Sequence, residues 1–195
     1  MHTRHLALPA LLALSALALT GCANGPDATL GDPIETGLWA QTEFDEGTVA
    51  ITANSFEPIT DDTLARWELD AGDQDAYMAR FTVDVVDGTW GDGDRTLAFD
   101  NKQWVVNADG DWIKGPNRNA IDLYSPDIDD EECPNDSETV QTALKTDGSV
   151  EVCALLLAPG GATVDEIGYA GAKKEGGRRS LGGATIINWS LDKTS

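Results

Sequence analysis

Histidine occurs only as His2 and His5, ahead of an apolar run that reads as a cleaved leader, so the mature chain is expected to contain none. That excludes serine triads built on imidazole, cysteine–histidine dyads, His-ligated zinc and the commonest proton shuttle near neutral pH. Cations are scarce too: 13 Lys and Arg face 34 Asp and Glu, a formal net charge of −21. Nucleic acid is thereby excluded as a partner, because phosphate binding is driven by basic groups that release counterions. The chain also lacks a Gly-x-Ser-x-Gly elbow, a glycine-rich phosphate loop and the Asp-Thr-Gly or Asp-Ser-Gly of aspartic proteases. A hydrolase using two carboxylates would be the remaining enzyme class. With 34 acids some pair reaches the required distance by chance, so spacing assigns no catalytic residue and no enzyme is expected.

What is present begins with an address. Residues 1–5 carry Arg4 and no acid, and residues 6–19 are apolar or small apart from Pro9 and Ser15. A helix of that length covers roughly 21 Å, short of the roughly 30 Å hydrocarbon core, so a signal peptide over residues 1–21 is the reading rather than a span. It ends in Leu19-Thr20-Gly21-Cys22, which looks like a bacterial lipobox, with Cys22 as the lipidated residue. The alternative is an ordinary secretory signal followed by a chance cysteine. Two or more acyl chains anchor stably where one binds marginally. The expected product is exported, held to the bacterial membrane through Cys22 and faces the extracytoplasmic side. Cleavage would leave 174 residues and, by removing Arg4, a net charge of −22.

With Cys22 lipidated, Cys133 and Cys153 remain, an even pair in an exported protein, so a disulfide between them is expected over two free thiols. Closing a loop of about twenty residues contributes roughly 3 kcal/mol in the chain-entropy model.

Residues 22–36 are rich in Gly, Pro, Asp, Asn and Thr and read as a flexible tether, leaving residues 37–195 as one domain. Short β-prone runs between turn residues recur along it. Val49, Ile51 and Ala53 would face inward from residues 48–53, and Phe81, Val83 and Val85 from residues 77–86, with Asp87-Gly88 as a turn. Further strands are expected over 95–99, 103–107, 111–114, 139–144, 149–157, 164–169 and 184–191. Asp147-Gly148 reads as a hairpin turn, and the apolar run 150–157 as a central strand. Turn-bounded strands at this spacing predict an all-β fold, an antiparallel immunoglobulin-like β-sandwich of about seven to nine strands. Trp104, Trp112 and Trp189 fall in strands and are assigned to packing.

A resemblance rests on the lipobox, the Gly/Pro/Asp tether, residues 79–86 with their following turn, the stretch Val150-Glu151-Val152-Cys153-Ala154-Leu155-Leu156-Leu157-Ala158-Pro159-Gly160-Gly161 and the closing Ile187-Asn188-Trp189. In these the chain resembles bacterial telokin-like surface lipoproteins over residues 49–191. The resemblance implies an immunoglobulin-like sandwich and brings no catalytic residue with it.

Three kinds of candidate site remain. The densest acidic stretch places Asp127, Asp129, Glu131, Asn135 and Glu138 at the first, third, fifth, ninth and twelfth positions of a calcium-loop frame. Glu132 stands where the frame needs glycine and Pro134 lies inside, which argues against an EF-hand. Asp87, Asp92 and Asp94 form a second glycine-rich acidic turn, while Asn107, Asp109 and Asp111 begin a third frame that Trp112 breaks. Lys173, Lys174, Arg178 and Arg179 form a basic stretch suited to an anionic lipid, a cell-wall polymer or an acidic envelope protein. The functional expectation is a lipid-anchored, non-catalytic binding module without a cofactor. The alternative is a calcium- or carbohydrate-binding domain that uses the acidic loops for Ca²⁺ and Trp39, Trp67 or Trp90 for stacking on sugar.

Overall fold

The computed structural model describes residues 27–38, 47–88, 90, 99, 103–114, 137–172, 180–181 and 184–191. They form an all-β sandwich of two sheets with two helices. The strands are β1 (Ala28–Thr29), β2 (Pro33–Thr36), β3 (Thr48–Pro58), β4 (Gln74–Asp87), β5 (Trp104–Ala108), β6 (Asp111–Lys114), β7 (Ser149–Pro159), β8 (Val164–Ala172), β9 (Ser180–Leu181) and β10 (Ala184–Ser190). Helix α1 (Asp61–Arg66) joins β3 to β4, and α2 (Ser137–Thr146) precedes β7.

Strand pleating fixes the two inner faces. On β3 and β4 the predicted alternation holds: Val49, Ile51, Ala53, Phe81 and Val83 are fully buried, while Thr82 and Asp84 point the other way. A register shift between Ala53 and Ser55 restarts the alternation, so that Phe56 faces inward and stacks on Tyr77 at 4.6 Å. That shift is why the sequence pattern stops at residue 53 while the strand runs on to Pro58. From the facing sheet Trp104, Val106, Ile167, Tyr169, Ile187 and Trp189 close the core.

One sheet has the order β2-β3-β4-β7 and the other β1-β10-β8-β5-β6, with β9 beside β10; every pairing is antiparallel except β1 with β10. Three consecutive strands, β2, β3 and β4, therefore form a meander in one sheet. Immunoglobulin sheets, ABED and CFG, hold no three consecutive strands, so the sandwich is as expected while its strand order differs.

Four further expectations change. Residues 28–36 are not a free tether: β1 pairs with Trp189 and Ser190, and β2 with residues 49–52, because Ala28 and Ile34 have apolar neighbours to cover. Strand β7 ends its sheet instead of lying centrally. Its run is apolar because both faces are covered: Val150, Val152, Ala154 and Leu156 face the main core, and Leu155 and Leu157 face a second cluster with Trp67 and Leu69. The expected strand 139–144 is helical, placing Val140 and Leu144 one turn apart, each 2% exposed, in the main core. Asp147-Gly148 consequently ends that helix and is not a hairpin; Gly148 takes φ 70° and the Asp147 amide still donates to the Ala143 carbonyl. Of the expected strand 95–99, only Phe99, which is buried, lies within the described residues.

Candidate functional site

Among the described residues, a concavity lies outside the sandwich, where α1 folds back over the outer faces of β3 and β4. Thr60 caps α1: its extended backbone (ψ 154°) turns the side chain to accept from the Thr63 amide at 3.3 Å. After Arg66 the helix stops. Trp67 caps it, Glu68 adopts φ 54°, and the Leu69 amide donates to the Leu64 carbonyl. That reversal buries Trp67 (3% exposed) and Leu69 against Ala76, Leu155 and Leu157.

Between this small core and the polar part of the sheet is a cleft of about 250 Å³. Its apolar walls come from Pro58, Ile59, Trp67 and Met78, and its polar groups from Glu57, Thr60, Thr63, Arg66 and Arg80. The two threonine hydroxyls are 3.0 Å apart. The Arg66 guanidinium sits 5.9 Å from the Trp67 ring centroid, within cation–π range. Arg80 Nη1 donates to Glu151 Oε1 at 3.1 Å across β4 and β7, which orients the guanidinium beside the cleft. Both partners are partly exposed, so the pair contributes at most about 1 kcal/mol and its value lies in positioning. Chemically the cleft offers cations, hydroxyl donors and an apolar floor. Among its described lining residues Glu57 is the one carboxylate.

On the other sheet's outer face a polar row crosses three strands. Asn188 donates to Glu166 Oε2 at 2.5 Å, and Asn107 pairs in register with Glu166 and Trp112. Asn107 and Asn188 are buried, and the Asn107 side-chain oxygen has no hydrogen-bond partner among the described residues. Beside it Val105, Ala170 and Ile186 form an apolar patch.

Few of the sequence candidates fall in either place. Glu138 is exposed in the first turn of α2; Asp127, Asp129, Glu131 and Asn135 lie outside the described residues, as do Asp92 and Asp94. Lys173, Lys174, Arg178 and Arg179 also lie outside them, as do Cys22 and Cys133. Cys153 is buried on β7. Asp109 belongs to the β5–β6 turn, with φ 53°, and accepts from the Thr163 amide at 3.1 Å. No group of three His, Cys, Asp or Glu side chains suited to a metal occurs among the described residues. Trp67 and Trp90 are both buried, so neither presents a face to sugar, and Trp39 lies outside the described residues. Trp104 and Trp189 are core residues as expected, and Trp112 is half-buried against the Val105 patch. Sequence reasoning passed over Arg66 and Arg80, which lie fourteen positions apart; only the fold-back after β3 brings them together.

No known family, curated protein or solved structure matches the chain.

Proposed function

We propose that this chain is an exported, lipid-anchored, non-catalytic interaction module of the bacterial envelope. The chemistry of the cleft carries the reading. Two guanidiniums, two hydroxyls and apolar walls suit holding a ligand.

Two features support the anchor. Cys22 stands five residues before Asp27, whose amide donates to the Asn188 carbonyl, so a lipid on Cys22 lies within roughly 18 Å of the sandwich. The basic stretch Lys173, Lys174, Arg178 and Arg179 would add attraction for anionic headgroups. The same reading includes a disulfide: with Cys22 assigned to lipid, Cys133 and Cys153 are the remaining pair in an exported chain.

Palmitate labelling in a bacterial host tests the anchor. The full chain takes up label and fractionates with membranes, and Cys22→Ser abolishes both; unchanged fractionation of Cys22→Ser refutes it. The calcium alternative is checked by thermal unfolding in calcium, magnesium and chelator at matched ionic strength. A millimolar concentration over a micromolar site would add about 4 kcal/mol.

A further inference from the structure

We infer that the cleft beneath α1 binds a small monocarboxylate with an apolar body, of amino-acid or dipeptide size. This ligand class belongs to the interaction site described above and rests on that reading.

Cations are placed where they are least expected. Four Lys and Arg occur among the described residues, Arg66, Arg80, Lys114 and Lys145, and two of them line this one cleft. Guanidinium is a planar fork whose paired N–H groups match the two oxygens of a carboxylate. Arg80 is held by Glu151 through Nη1, which fixes its plane, and Arg66 is held near the face of Trp67, so little side-chain freedom is left to lose on binding. Thr60 and Thr63 add a donor: whichever hydroxyl donates to the other, one keeps a hydrogen for the ligand.

The rest of the lining selects the ligand's body and charge. Trp67, Met78, Pro58 and Ile59 give it an apolar floor and wall. At about 250 Å³ the space falls below the roughly 300–1,000 Å³ of drug-sized sites. The protein's charge of −21 repels anions at a distance, and Glu57 repels them inside the cleft. One guanidinium neutralises a single negative charge; the other, Arg80, already faces Glu151, so a second charge on the ligand adds repulsion from Glu57 and Glu151. A carboxylate is therefore favoured over phosphate.

The test uses the full chain in detergent and N-acetyl-L-phenylalanine as probe, with its amide, N-acetyl-L-phenylalaninamide, as the uncharged control. Affinity is read by titration calorimetry, and position by NMR shifts of the Trp67 indole and Thr63 methyl. The acid is expected to shift both signals and to bind at least about tenfold tighter than the amide, the scale of one charge-assisted pair. Arg66→Gln, on an exposed helix end, should weaken the acid about fivefold or more and leave the amide unchanged. Arg80→Lys should give a smaller loss than Arg80→Gln, and Glu57→Gln should tighten the acid. Inorganic phosphate should compete poorly. Equal binding of acid and amide, insensitivity to Arg66→Gln, or tighter binding of phosphate than of the acid would each overturn the assignment. The Cys22→Ser chain should give the same affinities as the full chain; if lipid labelling fails while acid selectivity holds, the anchor is refuted and the cleft is not.

Discussion

The rings of Phe81 and Trp104 stack across the sandwich, one from each sheet, with centroids 3.8 Å apart and planes 16° from parallel. Trp104 is fixed from two other sides, by its Nε1 donating to the Phe99 carbonyl at 3.2 Å and by the Tyr169 ring at 4.9 Å. Phe81 therefore fills a site whose walls have little freedom to collapse. Phe81→Ala is expected to lower stability by about 3–5 kcal/mol, and Phe81→Leu by much less, in urea unfolding followed by tryptophan fluorescence. A loss below about 1 kcal/mol would mean that the sheets are held together elsewhere.

Gly171 makes room for Tyr169. A Cβ at 171 would collide with the phenol Oη and Cζ of Tyr169, whose ring is fully buried and cannot swing to solvent. Gly171→Ala should cost about 1–3 kcal/mol as an overpacked core does. Removing the hydroxyl relieves part of the collision, so Gly171→Ala with Tyr169→Phe should be less destabilised than the two single losses added. Simple additivity in that double-mutant cycle would place the strain on other neighbours.

How far the sequence speaks can be read from these elements. Residues 48–53 and 77–86 were legible as strands because alternation at period two has one consistent inner face, which Val49, Ile51, Phe81 and Val83 occupy. Helix α2 was not legible. Val140 and Leu144 are four apart, a spacing that suits both a strand face and one helical turn, and only the packing against β7 decides. The run 150–157 misled for a related reason: continuous apolarity reports two covered faces, which a strand at the end of a sheet acquires when a helix-and-loop segment lies over it. The cleft left no local signal. Arg66 ends a six-residue helix and Arg80 sits mid-strand, and neither position is unusual until the chain folds back. Trp67 entered the sugar-stacking alternative because an isolated tryptophan near charges looks the same whether it caps a helix or meets a ligand.

The assignment of residues 137–146 to a helix has its own consequence. Leu144→Ala should destabilise by about 2–5 kcal/mol, since it empties a core position, while Thr142→Pro at an exposed mid-helix position should cost about 2–3 kcal/mol through the helix backbone. Circular dichroism with urea unfolding separates the two effects. If Thr142→Pro were neutral and Leu144→Ala small, the segment would not be a packed helix.

Alkaline pH should unfold the domain earlier than its acids suggest. Burial pushes the Tyr169 phenol far above its ordinary value of 10, and burial with the nearby Asp75 charge raises Tyr77 as well. Below pH 10 both folded and unfolded states keep these protons. Above it the unfolded chain ionises and the folded one does not, so the unfolded state binds fewer protons and stability falls as pH rises. For Tyr169 the slope approaches about 1.4 kcal/mol per pH unit. Urea midpoints measured from pH 9 to 11 should decline, and Tyr169→Phe should flatten the decline; an unchanged slope in that variant would assign the alkaline loss to other groups.

Salt should stabilise this fold. With a formal charge of −21, the compact state gathers like charges that the unfolded chain spreads apart. Raising sodium chloride from about 0.01 M to 1 M shortens the screening length from about 30 Å to 3 Å, which removes most repulsion between surface carboxylates while leaving hydrogen-bonded contacts in place. The ion pair between Arg80 and Glu151 weakens over the same range, but an exposed pair contributes at most about 1 kcal/mol and many carboxylates gain at once. The urea midpoint is therefore expected to rise with sodium chloride, most steeply at the low end. A midpoint that falls with salt would mean that attractive pairs outweigh the net charge, and with it that the carboxylate surface is arranged around cations and is not simply solvated.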